Sequence, residues 1–261
     1  MDAAEHVKSC CAAVYGSDWA RLLLGDSFHP GGIRLTERMG RLLGLDARAR
    51  VLDVAAGRGT SALHLARTFG CEVVGVDLGA ANVEAAREAA RAAGLDRLAR
   101  FEVGDADALP HGERFDAVIC ECAFCTFPDK SAAAAAMAAA VRRGGRIGFS
   151  DLVRTGPLPD ELEGLLAWIA CVADALPVEG YRRHLEEVGF AIETVEDHGA
   201  ALADMVRGIQ TRLMGAELVT RLRRVELAGA DFDRAGAMAR AAMDAVRNGT
   251  LSYVLLIGTR S

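Results

Sequence analysis

The stretch Val51-Leu52-Asp53-Val54-Ala55-Ala56-Gly57-Arg58-Gly59-Thr60 decides how this chain of 261 residues is read. A strand pattern runs into a loop with two glycines, and a helical pattern opens at Thr60. Glycine lets the backbone come close to a ligand, and a helix N-terminus presents N–H groups that lack intrahelical partners, so the loop is built to receive something polar. Gly57-x-Gly59-x-x-Ala62 also satisfies the dinucleotide fingerprint, and Asp77 at the end of the next strand suits a ribose in either case. Asp53 tips the balance. Two residues ahead of the loop, its carboxylate can brace the loop or reach a cationic amino group, whereas a pyrophosphate would gain nothing from that charge.

Outward from this loop, apolar runs of strand length recur at Arg50 to Val54, Glu72 to Val76, Phe101 to Val103, Phe115 to Ile119 and Arg146 to Phe149. Between them Thr60 to Phe69, Ala80 to Ala93 and Ser131 to Val141 have helical length and period. Alternating strands and helices predict an α/β fold with a doubly wound, mostly parallel Rossmann-like sheet. After Asp151, Pro157 and Pro159 break the chain ahead of two helical stretches, Glu161 to Ala175 and Glu179 to Val188, and a short strand at Ala191 to Val195. Residues 200–249 read as a helical cap of roughly fifty residues, far longer than an ordinary connection, inserted before a last buried strand at Leu251 to Gly258. The expected division is an N-terminal lid over residues 1–45 and one domain over 46–261.

Composition limits the function classes. With 51% hydrophobic and 25% charged residues the chain buries a real core. Its longest uncharged stretch, Ser131 to Val141, is far short of the about 20 apolar residues that span a bilayer, and the start MDAAEHVKSCC has no apolar export segment. No membrane association and a cytoplasmic location are expected. A net charge of -6 argues against a nucleic-acid surface. Seven cysteines are too few for a disulfide scaffold and odd in number, which leaves free thiols for chemistry.

Gly104-Asp105-Ala106 closes the third strand, where an Asp can accept a hydrogen bond from the exocyclic amine of adenine. This order of elements, with V-L-D-V-A-A-G-R-G-T, V-V-G-V-D-L and V-G-D-A at matching places, resembles the class I S-adenosylmethionine-dependent methyltransferases. The resemblance implies S-adenosylmethionine as cofactor and a binding set of Asp53, Ala55, Gly57, Gly59, Asp77, Leu78, Asp105, Ala106 and Cys120. Turn and cap roles for the glycines, Asp77 and Asp105 are the plainer alternative, as is a core role for Cys120.

At the end of the fourth strand stands Cys120-Glu121-Cys122-Ala123-Phe124-Cys125-Thr126-Phe127-Pro128-Asp129-Lys130, with three thiols in six residues. C-x-x-C could hold zinc, but no second pair stands at finger spacing, and no metal site is expected. This passage, then R-R-G-G-R-I-G-F-S-D-L, W-I-A-C-V-A-D-A-L and E-E-V-G-F, resembles the arsenite methyltransferases in order and spacing over roughly Arg50 to Phe190. The resemblance implies Cys122 and Cys171 as ligands of a soft acceptor. Two further cysteines of that family are Ala62 and Ala191 here, so Cys125, or Cys10 or Cys11 from the lid, would complete the set. Arsenic held by thiolates carries a lone pair that attacks the sulfonium methyl in line and needs no general base. A hydroxyl, amine or ring-carbon acceptor would often want one, and the candidates are His29, His184 and His198. The leading expectation is therefore a methyltransferase for arsenite or a related metalloid. Its alternatives are a methyltransferase for a small organic molecule such as a quinone-type ring, a cofactor-binding metalloid sensor without turnover and, more distantly, a dehydrogenase.

Overall fold

Strand β1 (Arg50–Val54) buries side chains on both of its faces, Val51 on one and Leu52 and Val54 on the other, which is the signature of a central parallel strand. The computed structural model describes residues 29–109, 115–162, 172, 174–223 and 232–261. In it β1 pairs in parallel with β2 (Glu72–Asp77) on one side and β4 (Phe115–Glu121) on the other. The sheet continues through β3 (Ala99–Val103), β5 (Val141–Arg154), β6 (Phe190–Asp197) and β7 (Leu251–Arg260), in the order β3-β2-β1-β4-β5-β7-β6. Strand β7 runs antiparallel between β5 and β6, from Arg146↔Thr259 to Arg154↔Leu251 on the β5 side. The expected doubly wound sheet is the observed one. The strand read at Arg146 to Phe149 is fourteen residues long, because pairing with β7 carries it to Arg154 and a bulge beside Phe115/Ala117 carries it back to Val141.

Helices cover both faces. On the first lie α1 (Gly32–Leu43), α2 (Thr60–Phe69) and α3 (Ala80–Ala92), whose Leu35, Met39, Leu65, Val83 and Ala86 share a core with Val51, Ile119 and Tyr253. The second face carries α4 (Lys130–Ala140) and α5 (Val178–Glu187), packed on Leu52, Val118, Phe149 and Leu256. Helix α4 starts at Asp129, whose carboxylate accepts the Ala132 N–H at 2.8 Å, and its run of alanines combines high helix propensity with close approach to the sheet. Helices α6 (Gly199–Arg223) and α7 (Phe232–Arg247) fill the segment between β6 and β7, and Leu202, Val206, Met243 and Ala245 join the first core.

Of the segment expected to be a lid, residues 1–28 lie outside the described residues, and the part in α1 is built into the first core. The helix read at Glu161 to Ala175 also lies for the most part outside them, as do Cys10, Cys11 and Cys171. No helix among the described residues is long and apolar enough to cross a membrane.

Candidate functional site

Where β1 ends, the backbone turns sharply. Ala55, Gly57 and Gly59 have φ of 60°, 54° and 79°. The turn is closed by Ala56 N–H on the Val76 carbonyl at 3.0 Å and Gly59 N–H on the Ala56 carbonyl at 2.9 Å. The two glycines are there for different reasons. A Cβ on Gly59 would stand 2.6 Å from Phe101 Cζ, so that position needs the space, whereas a Cβ on Gly57 would meet nothing within 4 Å. Gly57 faces an open cradle at the head of α2.

Asp77 holds this cradle in shape. One carboxylate oxygen accepts the Gly57 N–H at 2.8 Å, and the other accepts Gly79 N–H at 2.8 Å and Asn82 Nδ2 at 3.2 Å. It ties the glycine loop to the start of α3. Each carboxylate oxygen can accept more than one hydrogen bond, so this bracing leaves capacity for a hydroxyl. Asp105 caps a short turn at Ala106–Ala108 by accepting the Asp107 N–H at 3.2 Å, and Ala106 packs against the second core. Two apolar side chains stand open beside these acids: Leu78, 41% exposed after β2, and Val103, 55% exposed at the end of β3. Leu78 was expected here. Val103 was not, and the signal that could have found it is its place as the last apolar residue of a strand whose neighbours end at the same edge.

Asp53 lies beneath the loop. It is 3% exposed, and its Oδ2 has no hydrogen-bond partner. Burial pushes its carboxyl well above the usual carboxylate range, and the nearby charges of Glu121 and Asp77 push it further.

At the end of β4 the three thiols part company. Cys120 is fully buried in the second core with Phe124 and Phe149, and burial followed by the charges of Asp151, Asp53 and Glu121 pushes its thiol up. The alternation of β4 turns it away from the face that carries Glu121, so its side chain serves packing. Cys125 is 1% exposed in the first core, its N–H bonded to Asp151 Oδ2 at 2.9 Å. Cys122 alone is half-buried, at φ 54°, with its N–H on the Ser150 carbonyl at 2.7 Å. Among the described residues no group of three His, Cys, Asp or Glu side chains could hold a metal ion. Lys130 fixes the loop after Cys122: its buried ammonium bonds the Cys125 and Phe127 carbonyls at 3.1 Å each and pairs with Asp174. Phe124 forms an aromatic wall with Phe127, Phe149, Tyr181 and His184.

Sequence reasoning missed a buried polar layer on the first face. The Glu121 side chain, 4% exposed, accepts the Thr36 hydroxyl at 3.0 and 3.1 Å. Thr36 Oγ1 also lies 3.3 Å from His29 Nε2 and 3.3 Å from Ser61 Oγ. Ser150 meets the Tyr253 hydroxyl at 2.9 Å, and burial pushes that phenol up. Of the three histidines considered as bases, His29 joins this layer. His198 pairs with Glu196, and His184 meets Ser131, both away from the cradle.

Residues 51–145 match a family model described as a methyltransferase domain. The chain is 30% identical over 176 residues to methyltransferase GfsG of Streptomyces halstedii, covering 66% of this chain and 63% of that protein. It is 31% identical over 169 residues to the 27-O-demethylrifamycin SV methyltransferase of Amycolatopsis mediterranei, covering 63% and 62%. An arsenite methyltransferase of Halobacterium salinarum is 31% identical over 150 residues, covering 56% of this chain and 38% of that one. The matches to the first two thus span less than two thirds of their length. Among solved structures, the geranyl diphosphate C-methyltransferase of Streptomyces coelicolor A3(2) superposes with a TM-score of 0.78 at 17% identity, over 98% of each chain, which shows a shared fold.

Proposed function

We propose that this chain, whose residues 51–145 match a methyltransferase domain, is a class I methyltransferase that transfers the methyl group of S-adenosylmethionine to a small organic acceptor at the C-terminal ends of β4 and β5. One observation carries the cofactor part of this reading, and the small-molecule acceptor rests on the relatives named above. The buried carboxylate of Asp53, with its unpartnered oxygen, lies under an open glycine cradle flanked by exposed Leu78 and Val103. A cationic amino group, a polar backbone-bound middle and a flat apolar ring, in that order, complement this surface. When bound, the cofactor supplies an electrophilic sulfonium methyl.

The residues of the chain then have separate tasks. Gly57 would let the cofactor lie against the backbone at the head of α2, Gly59 leaves room for Phe101 beneath the loop, and Asp77 would take a ribose hydroxyl while bracing the loop. Leu78 and Val103 would cover the adenine, and Asp105 would accept from its exocyclic amine. The Phe124 wall and the Lys130 clamp shape the acceptor side and exclude water, so that positioning supplies much of the rate.

A soft acceptor such as arsenite is the second reading, favoured by Cys122 standing half-buried at this same edge. It requires Cys171 and one of Cys10 and Cys11 to join Cys122, since Cys125 is packed in the first core. A cytoplasmic protein acting on small molecules, without nucleic-acid or membrane partners, fits either reading.

Acceptor and thiol dependence separate them. The protein is assayed with labelled cofactor against arsenite and a panel of phenols, alcohols and amines, beside Cys122→Ser and Cys171→Ser. Methylation of an organic acceptor that survives both substitutions is expected. Methylation of arsenite alone, lost in both variants, would put the soft acceptor in its place. Cofactor binding with no acceptor methylated would leave a sensor.

A further inference from the structure

Asp53 is not the only carboxylate under the cradle. Its Cα partner on β4 is Ile119, and Glu121 follows two residues later on the same face. The two acids are near enough that the charge of Glu121 raises the cost of ionising Asp53. One polar contact on Glu121 comes from Thr36, and the details of that contact fix its direction. A hydroxyl has one proton and two lone pairs. Thr36 gives its proton to Glu121, and its oxygen also lies 3.3 Å from His29 Nε2 and 3.3 Å from Ser61 Oγ, while His29 Nδ1 meets the Pro30 carbonyl at 3.2 Å. The Thr36 hydroxyl thus joins the entry to α1 to the carboxylate. His29 Nε2 also stands 3.7 Å from Glu121 Oε2.

We propose that Glu121 is a second receiver, with Asp53, for the α-amino group of the cofactor, and that Thr36 and His29 are positioning residues that hold its carboxylate in place. The proposal rests on the cofactor reading given above. It accounts for two buried acids and one unpartnered oxygen on one sheet face: two carboxylates this close are costly alone and complementary to an ammonium group. It also gives the entry to α1 a function, because His29 and Thr36 fasten that segment to the floor of the cofactor site.

The test compares S-adenosylhomocysteine with its deamino analogue, which keeps the carboxylate and carries hydrogen in place of the α-amino group. Binding is read by calorimetry on the full chain, without turnover. The native protein should prefer S-adenosylhomocysteine by about 100-fold, as for a charge-assisted contact. Glu121→Gln and Asp53→Asn should each cut that preference by about tenfold, with affinity for the deamino analogue held or improved. Thr36→Val should reduce the preference, and Thr36→Ser should restore it. Either carboxylate variant reads the same ratio, so one that folds poorly does not remove the test. Equal loss of both ligands in Glu121→Gln, or an unchanged ratio, overturns the role of Glu121. A native protein that binds neither ligand overturns the cofactor reading and this proposal with it, and is told apart by that first measurement.

Discussion

Substituting alanine at Gly57 and at Gly59 should separate folding from cofactor binding within one loop. Both glycines have positive φ, 54° and 79°, and an L-residue there costs about 1–2 kcal/mol in backbone strain. At Gly59 the new methyl would also stand 2.6 and 2.8 Å from the Phe101 ring and 3.0 Å from Ala86. Overpacking of a filled core adds about 1–3 kcal/mol. Gly59→Ala should therefore lose about 2–5 kcal/mol and Gly57→Ala only about 1–2 kcal/mol. For a domain of this size each kcal/mol lowers the melting temperature by about 2–4 °C. The assay is urea unfolding of the ligand-free protein followed by circular dichroism, with calorimetric titration of S-adenosylhomocysteine at a temperature where both variants are folded. Gly57→Ala, whose methyl enters the open cradle, should lose more affinity than stability. If the two variants unfold at the same urea concentration, or Gly59→Ala is the milder, the close packing of Phe101 under the loop is not what fixes that glycine.

Asp53→Asn should make the ligand-free protein more stable at neutral pH by about 1–3 kcal/mol while weakening the cofactor. Because the folded carboxyl is raised by burial and by Glu121 and Asp77, its stabilising contribution is full below about pH 4 and is lost as pH rises through the raised value, so the gain should grow with pH. Lys130→Met should cost about 1–3 kcal/mol by orphaning the Cys125 and Phe127 carbonyls, and chemical denaturation of that variant beside the native protein measures it. Of the cysteines described, Cys122 should be alkylated first under native conditions. Cys71, buried and with its thiol pushed up to about 11, should react only on unfolding, as peptide mass mapping would report.

The fold was legible where period and punctuation agree. Val51 to Val54, the glycines and the helical pattern from Thr60 each state a local preference, and the terminal strand reads as a buried run of apolar residues. Strand β5 was underestimated because Arg142, Arg143, Gly144 and Gly145 carry no strand pattern, and its extension comes from partners in β4 and β7 rather than from its own residues. The bracing of the glycine loop by Asp77 was legible for the same reason as the loop, since that acid ends the next strand. The polar layer was not: Thr36 and Glu121 are 85 residues apart, and nothing local in either marks the other as its partner. The surroundings of the cysteines were legible only in part. The alternation of β4 sends Cys120 into one core, as its place in the strand suggests, whereas nothing local to Cys125 marks that the loop beyond sends it into the other.

Acceptor-dependent formation of S-adenosylhomocysteine is the measurement closest to the central claim. The native protein is incubated with methyl-labelled S-adenosylmethionine and each small organic acceptor in turn, and both the demethylated cofactor and the labelled product are quantified. Equal amounts of the two, rising with enzyme and acceptor and reduced at low cofactor concentration in Asp53→Asn, are the result expected. Tight binding of the cofactor with no labelled product from any acceptor, or product formed without the cofactor, would contradict the account.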